Sequence, residues 1–157
     1  MASGLRPIVT VAGVRTGPIE QVLPAGVDVI QAIAARRGIA HSLGALLRAL
    51  DGWRQVGAVC VGLGDQPLVG PDAYVRLAAA YAAGATFAVA TYDGQRQHPV
   101  LIGREHWPAV RRLRGDVGAR SVMESVPVVE VDCDGTGRPD DVDTAEDLAR
   151  MQREMEA

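Results

Sequence analysis

Short apolar runs alternate with helical patterns along the chain. The runs predict strands, and the stretches between them carry helical spacing or helix-start residues. Because strands alternate with helices, the sequence predicts an α/β fold with a three-layer, mostly parallel sheet. The predicted strands are Pro7–Val14, Val27–Gln31, Ala58–Leu63, Thr86–Tyr92, Pro99–Ile102 and Val128–Val131. The predicted helices are Thr16–Leu23, Ser42–Leu50, Pro71–Ala83, Arg104–Leu113, a short helix ending near Ser125, and Thr144–Met155.

One turn breaks the parallel pattern. Asp93-Gly94 lies between two apolar runs and is typical of a two-residue hairpin turn, which predicts one antiparallel strand pair. No repeat, low-complexity stretch or linker interrupts the 157 residues. We therefore expect a single domain spanning residues 1–157.

Composition narrows the class of protein. The net charge is −3 and the arginines are dispersed, so a nucleic acid is not an expected partner. No stretch has the roughly 20 apolar residues of a membrane span, and the N-terminus lacks the layout of a signal peptide. Cys60 and Cys133 have no pairing or metal-like spacing, which favours two free thiols. The sequence predicts a soluble, cytoplasmic protein without a membrane partner.

The stretch from Ala58 to Asp72 is the first candidate for chemistry. The run Ala58–Leu63 is uniformly apolar, which predicts a central strand covered on both faces. Asp65 follows this run, at the carboxyl end of a strand, where open α/β sheets bind ligands. A carboxylate there could hold Mg²⁺ and, through it, a nucleotide phosphate. The alternative is that Asp65 only caps a turn.

A second acidic segment runs from Pro139 to Asp147. Thr144 and Asp147 have capping-box spacing, which assigns the acidic residues near them to the start of a helix. Asp141 and Asp143 come just before that start, and either could face a metal; we favour Asp143. Upstream, Gly38–Ser42 precedes a helix for which Ser42 is the expected N-cap.

Five segments in order give the chain a family resemblance. It resembles the molybdopterin cytidylyl- and guanylyltransferases, the MobA-like NTP transferases of the nucleotide-diphospho-sugar transferase superfamily. The resemblance runs from about Pro7 to the end of the chain. The segments that carry it are Gly38–Leu46, Gly64–Pro67, Tyr92–Leu101, Arg114–Ser121 and Asp141–Leu148.

The resemblance implies a Rossmann-like fold and an activity. The expected reaction is the Mg²⁺-dependent transfer of CMP, less favourably GMP, from an NTP to a molybdopterin-like acceptor, with release of pyrophosphate. Asp65 is the expected catalytic residue, and Asp65 and Asp143 are the expected metal ligands. The expected nucleotide-binding residues are Ser42, Gly64, Asp65 and Gln66, and the acceptor-binding residues are His98, Gly115, Asp116 and Arg120.

The chain departs from the family at its start. Such enzymes begin with a strand and a Gly-rich loop that binds the triphosphate, followed by a Lys, whereas this chain has neither the loop nor any lysine. Ala12–Gly17 could be a remnant of that loop. We instead assign Pro7–Gly26, followed by Val27–Ile30, to the family's second strand, helix and third strand, which leaves the first βα unit absent.

Three interpretations follow. The chain is a working nucleotidyltransferase, a non-catalytic family member that binds the acceptor or a partner protein, or an inactive truncated reading frame. Without the first βα unit, the Ala58–Leu63 strand would become an edge. We therefore also expect self-association or marginal stability, and poor turnover of NTP.

Overall fold

The computed structural model describes residues 3–13 and 15–156. Its packing divides the chain into two compact units. Unit 1 contains Ser3 and residues 58–102 and 128–156, and unit 2 contains residues 4–57 and 103–127. The single domain inferred from the sequence stays a prediction.

The described elements follow the predicted order. The strands are β1 (Ile8–Ala12), β2 (Val27–Gln31), β3 (Ala58–Val61), β4 (Phe87–Tyr92), β5 (Gln95–Gly103) and β6 (Val129–Asp132). The helices are α1 (Gly17–Glu20), α2 (Ile39–Ala49), α3 (Pro71–Ala82), α4 (Trp107–Val110), α5 (Arg120–Met123) and α6 (Ala145–Glu156). β2 has its predicted ends, and the other predicted strands and helices have counterparts with shifted ends, except that the predicted helix Arg104–Leu113 is divided. Val14, the last residue of the first predicted strand, lies outside the described residues. The α/β class is confirmed.

In unit 2, helix α2 packs against the two parallel strands β1 and β2. β1 and β2 pair in register from Ile8 opposite Val27 to Ala12 opposite Gln31, and α2 contacts both strands. α2 buries Ala40, Leu43, Gly44 and Leu47, which recur at the three- and four-residue spacing of one helix face. This apolar face fixes α2 within the unit.

Arg104 forms hydrogen bonds to the backbone of the segment that follows α2. Its Nε donates to the carbonyl oxygen of Val56 at 2.8 Å, and its Nη2 donates to those of Leu50 at 3.2 Å and Trp53 at 2.6 Å. The guanidinium carbon lies 4.3 Å from the ring centroid of the buried Trp107. Arg104 and Trp107 belong to a predicted single helix, but the chain there forms a 3-10 turn, Arg104–His106, and then the short α4.

In unit 1, four strands form one sheet in the order β3-β5-β4-β6. β4 is buried along its whole length, pairs antiparallel with β5 and parallel with β6, and carries α3 through Ala73 and Leu77. Asp93 and Gly94 both have positive φ angles, 49° and 71°, as a two-residue hairpin turn requires. The predicted antiparallel pair is confirmed.

The position of β3 corrects the prediction of a central strand and agrees with the alternative prediction of an edge strand. β3 lies at the edge of the sheet, and each of its residues is half-buried rather than covered on both faces. Among the described residues, the strands form a two-stranded and a four-stranded sheet, not one sheet. The uniformly apolar sequence of β3 predicts a central strand. An apolar sequence indicates that a strand tends to be buried, but it does not indicate how many strands lie beside it.

Within the described part of the chain, no helix has the length and apolar character needed to cross a bilayer.

Candidate functional site

In unit 1, two loops run side by side in opposite directions after β3 and before α6. The backbone N–H of Gly70 donates to Thr136 at 2.9 Å, that of Arg138 to Leu68 at 3.0 Å, and that of Val142 to Asp65 at 2.8 Å, each to a carbonyl oxygen. We call residues 65–70 and 136–142 the clasp. It brings the loop that carries Asp65 against the acidic segment.

Two glycines permit the close approach of the clasp loops. A Cβ on Gly70 would collide with the carbonyl oxygen of Thr136, and one on Gly137 would collide with that of Leu68. Gly137 also has a φ of 123°, which L side chains rarely adopt. Larger residues at either position would push the two loops apart.

Gln66 lies inside the clasp with 7% of its surface exposed. Its Nε2 donates to the carbonyl oxygen of Pro139 at 3.2 Å and to Oδ1 of Asp141 at 3.0 Å. Its Oε1 is buried and has no hydrogen-bond partner in the structure. Gln66 therefore joins the turn at Asp65 to the acidic segment through its side chain.

The capping box at the start of α6 is confirmed. The backbone N–H of Asp147 donates to Oγ1 of Thr144 at 3.1 Å, and the backbone N–H and hydroxyl of Thr144 donate to Oδ2 of Asp147 at 3.1 and 2.7 Å. The hydroxyl of Thr144, more than the nearby Arg150, lowers the pKa of Asp147. Asp147 thus serves the helix start, as expected from its spacing.

The remaining acidic side chains of this segment differ in their partners. Asp140 forms an ion pair with Arg138 at 2.9 Å, and Asp141 accepts the bond from Gln66. Asp143 is exposed and makes no hydrogen bond or ion pair with any residue of the described chain. Among Asp140, Asp141 and Asp143, only the last has a carboxylate without a partner in the described chain, while Asp141 uses Oδ1 for its bond from Gln66.

A divalent cation would fit the chemistry of these side chains. The carboxylate of Asp65 is exposed beside the bond from Val142 to its own carbonyl oxygen, and Asp143 is the next residue after Val142. Mg²⁺ typically takes one or two protein carboxylates and completes its coordination with phosphate oxygens and water. The described residues contain no group of three or more His, Cys, Asp or Glu side chains placed to hold a metal. A site here would therefore depend on two carboxylates and the substrate.

In unit 2, the segment Gly38–Ser42 lies against the loop that contains Gly115 and Asp116. Gly38 has a φ of 113°, and a Cβ there would collide with the backbone of Gly115 and lie 2.6 Å from the amide nitrogen of Asp116. The backbone N–H of Ala40 donates to the carbonyl oxygen of Gly115 at 3.2 Å. The structure thus brings together two segments that the sequence assigned separately to nucleotide and acceptor.

Ser42 does not cap α2, which corrects the sequence interpretation. The helix begins at Ile39, Gly38 is the N-cap, and no side chain makes a capping bond. One of the free amides at this end, that of Ala40, is satisfied by the carbonyl oxygen of Gly115, so a hydroxyl cap is not needed for it. Ser42 lies half-buried in the first turn.

His98 lies at an irregularity of β5. Val89 pairs with Val100 whereas Ala90 pairs with Gln97, so His98 and Pro99 form a bulge on the longer strand. The strand begins at Gln95, four residues before the predicted start at Pro99. His98 is half-buried.

Both cysteines are free thiols, as predicted. Burial raises the pKa of the Cys60 thiol from its usual 9.0 to about 11, and burial also raises that of Cys133. The thiolate is the reactive form of cysteine, so neither residue has the character of a nucleophile.

Gln66 and Asp141 form the contact that sequence patterns did not indicate. The sequence predicts only nucleotide binding for Gln66, and no spacing rule relates positions so far apart in the chain. The paired Gly70 and Gly137 offered a hint, because a glycine outside a turn often marks a close approach of two backbones. The predicted roles of Ser42, Gly64, Asp65, Gln66, His98, Gly115, Asp116, Arg120 and Asp143 toward ligands stay predictions.

Comparisons with known proteins assign the family. The model of the MobA-like NTP transferase domain matches residues 1–131. Purine catabolism protein PucB of Bacillus subtilis is 30% identical over 124 residues, which are 77% of this chain and 59% of PucB. The chain thus spans less than two thirds of the length of that relative.

Solved structures of related proteins have a similar fold. Rv0371c of Mycobacterium tuberculosis, crystallised as a complex with manganese, has a TM-score of 0.78 at 26% identity over 96% of this chain and 79% of that one. Molybdopterin-guanine dinucleotide biosynthesis protein A of Archaeoglobus fulgidus shares the fold, with a TM-score of 0.68 at 17% identity over 94% of this chain and 78% of that one. The chain belongs to the family of MobA-like NTP transferase domains.

Proposed function

We propose that the protein transfers a nucleotidyl group, CMP in preference to GMP, from an NTP to a pterin-type acceptor resembling molybdopterin. An oxygen of the acceptor forms a bond to the α-phosphorus of the NTP, and the bond from that phosphorus to the bridging oxygen breaks. Pyrophosphate leaves with the electron pair. This chemistry depends on positioning and charge neutralisation rather than on a covalent intermediate.

The observation that carries the proposal is the clasp. Its bond from Val142 to Asp65 holds two exposed carboxylates, those of Asp65 and Asp143, on adjoining loops. Two carboxylates that converge on one place repel each other, and a cation bound between them would offset that repulsion. A divalent cation bridged to the NTP is the ligand that this arrangement favours.

Asp65 and Asp143 would hold Mg²⁺. When bound, the ion neutralises negative charge on the phosphates and orients them for displacement. The manganese complex of Rv0371c supports a divalent cation, since Mn²⁺ and Mg²⁺ favour the same oxygen ligands. Gly64, which precedes Asp65 and lacks a side chain, leaves the backbone of this turn open to the nucleotide.

The segments of unit 2 are assigned to the remaining parts of the substrates. Ser42 is the residue assigned to the base or ribose. Gly115, Asp116 and Arg120 are assigned to the anionic acceptor, for which the Arg120 guanidinium is a suitable partner. In unit 1, His98 is assigned to acceptor binding rather than to proton transfer. The bulge at His98 supports this assignment, because bulges in strands change the direction in which a side chain points.

The preference for CTP rests on the resemblance of Gln66 and of the Gly38–Ser42 segment to the cytidylyl branch of the family. We expect CTP to be favoured over GTP. A preference for GTP of about tenfold, equivalent to ~1.4 kcal/mol, would overturn this assignment. The cytoplasmic location stays a prediction.

The test is a single-turnover transfer assay with the protein in excess over α-labelled CTP, so that slow transfer is still recorded. We expect a labelled acceptor product that requires both Mg²⁺ and molybdopterin, and no product from Asp65→Ala. Asp72→Ala, which removes an exposed carboxylate from the first turn of α3, is the matched control. Binding of the acceptor without any transfer would favour the alternative, a non-catalytic member of the family.

A further inference from the structure

We infer that Gln66 and Asp141 are positioning residues that hold the acidic segment against the Asp65 turn, and that this leaves Asp143 free to bind the metal. The inference rests on the proposed metal site and gives different roles to the carboxylates of Asp141 and Asp143. Asp141 anchors the segment, and Asp143 binds the cation.

The orientation of the Gln66 amide is fixed by its neighbours. Both of its contacts, the carbonyl oxygen of Pro139 at 3.2 Å and Oδ1 of Asp141 at 3.0 Å, are acceptors. Only the Nε2 group has hydrogens to donate, and it has two. The flipped amide would turn Oε1 toward two acceptor oxygens and lose both bonds. Gln66 therefore acts on the acidic segment as a double donor.

The other polar atom of the Gln66 amide, Oε1, lowers the stability of the fold. Oε1 is buried and unpartnered, and a buried polar atom without a hydrogen bond is destabilising. An apolar side chain of similar length would fill the same space without that cost. The presence of an amide at this position is explained by the two bonds that it donates to the acidic segment.

The bonds around Val142 divide the roles of the flanking carboxylates. Asp141 has Oδ1 occupied by Gln66, and the N–H of Val142 is held by Asp65 at 2.8 Å. Asp143 comes next, exposed and without a partner in the described chain. Anchoring Asp141 and Val142 restricts where Asp143 can lie relative to Asp65.

The test measures the affinity of the full chain for Mn²⁺ by electron paramagnetic resonance, without nucleotide. We expect Gln66→Met and Asp141→Leu to weaken Mn²⁺ binding about tenfold or more, as removing a group that orients a metal ligand does. Asp141→Asn keeps an oxygen that can accept the bond from Gln66, so it should lose less than about threefold. Asp143→Asn should lose about tenfold or more, and Asp72→Asn is the control for a change in charge.

Two further readouts separate positioning from a general effect on folding. Gln66→Met should speed hydrogen exchange at the Val142 amide while its melting temperature stays equal to that of the wild type or rises. A lower melting temperature with unchanged Mn²⁺ affinity would show that Gln66 is only structural and would overturn the inference. Unchanged exchange at Val142 would overturn it as well.

The outcomes for the two aspartates distinguish this inference from the proposed function. If the wild type binds Mn²⁺ and Asp141→Asn loses as much affinity as Asp143→Asn, Asp141 is itself a ligand. The division of work is then wrong, while the metal site stands. A wild type that binds no Mn²⁺ overturns the metal site and, with it, the role given to Asp143.

Discussion

Val142 donates its backbone N–H to the carbonyl oxygen of Asp65 at 2.8 Å. This bond is one of the three backbone bonds of the clasp. Donor and acceptor both belong to the backbone, so the bond does not depend on the side chain of either residue. Asp65 is exposed and supplies the carbonyl oxygen of this bond, and the exposed Asp143 is the residue after its donor. The proposed metal site follows from this relationship.

Gly38→Ala should destabilise the protein strongly. A Cβ at this position would collide with the backbone of Gly115, and the φ of 113° is strained for alanine. We expect a loss of roughly 2 kcal/mol or more in the free energy of unfolding, measured with urea.

Gly52→Ala is the matched control for this change. No atom lies within 4 Å of a Cβ at Gly52, so alanine there should be neutral or slightly stabilising. Equal stability of the Gly38→Ala and Gly52→Ala proteins would show that the approach of Gly38 to Gly115 is looser than described.

The free energy of unfolding should decrease in alkaline solution because the Cys60 thiol ionises more readily in the unfolded chain. Burial raises the pKa of this thiol from 9.0 to about 11. Between these values the unfolded chain loses the proton while the folded chain keeps it, so folding becomes less favourable as the pH rises. Below pH 9 both states carry the proton and this contribution is constant. Its size is at most on the order of 2–3 kcal/mol.

Urea unfolding of the wild type and of Cys60→Ala between pH 8 and 11 tests this dependence. The variant lacks the titrating thiol, so its stability should fall less steeply over the same range. Parallel curves for the two proteins would mean that Cys60 ionises as readily in the folded state as in the unfolded chain.

The edge position of β3 supports self-association. Ala58 and Cys60 pack against the core of unit 1, so Val59 and Val61 project from the opposite face of the strand. Among the described residues, β3 has a strand neighbour on one side only, which leaves backbone groups available for pairing. Light scattering should detect particles larger than the monomer that dissociate on dilution.

A charge on this strand should weaken the association. Val59→Arg is expected to lower the average mass, whereas Val75→Arg, the same change on the exposed face of α3, should leave it unchanged. A wild type that remains a monomer at high concentration would contradict the prediction.

Local features of the fold could be predicted from the sequence, and distant contacts could not. The Asp93-Gly94 turn and the Thr144–Asp147 capping box were predictable because each depends on residues within a few positions. The bond from Gln66 to Asp141 and the start of α2 depend on partners far along the chain. The edge position of β3 is expected from the family resemblance but not from the apolar pattern of the strand. The sequence predicts a capping hydroxyl at Ser42, but the distant carbonyl oxygen of Gly115 accepts a bond from an amide at this helix end instead.

The candidate site shows the same division. The type and order of the acidic residues predict a metal site at Asp65 and the Asp141–Asp143 segment, since carboxylates at these places are typical of one. Which carboxylate is free could not be decided from two aspartates separated by one residue. The structure adds that Gln66 bonds Oδ1 of Asp141, whereas Asp143 has no partner in the described chain.

The most direct test of the account is calorimetric titration with CTP in the presence and absence of Mg²⁺. The wild type should bind CTP with Mg²⁺ and far more weakly without it, Asp65→Ala should lose the Mg²⁺-dependent binding while it remains folded, and Asp72→Ala should bind as the wild type does. Equal binding by the wild type and Asp65→Ala, or binding that is indifferent to Mg²⁺, would contradict a metal–nucleotide site at Asp65.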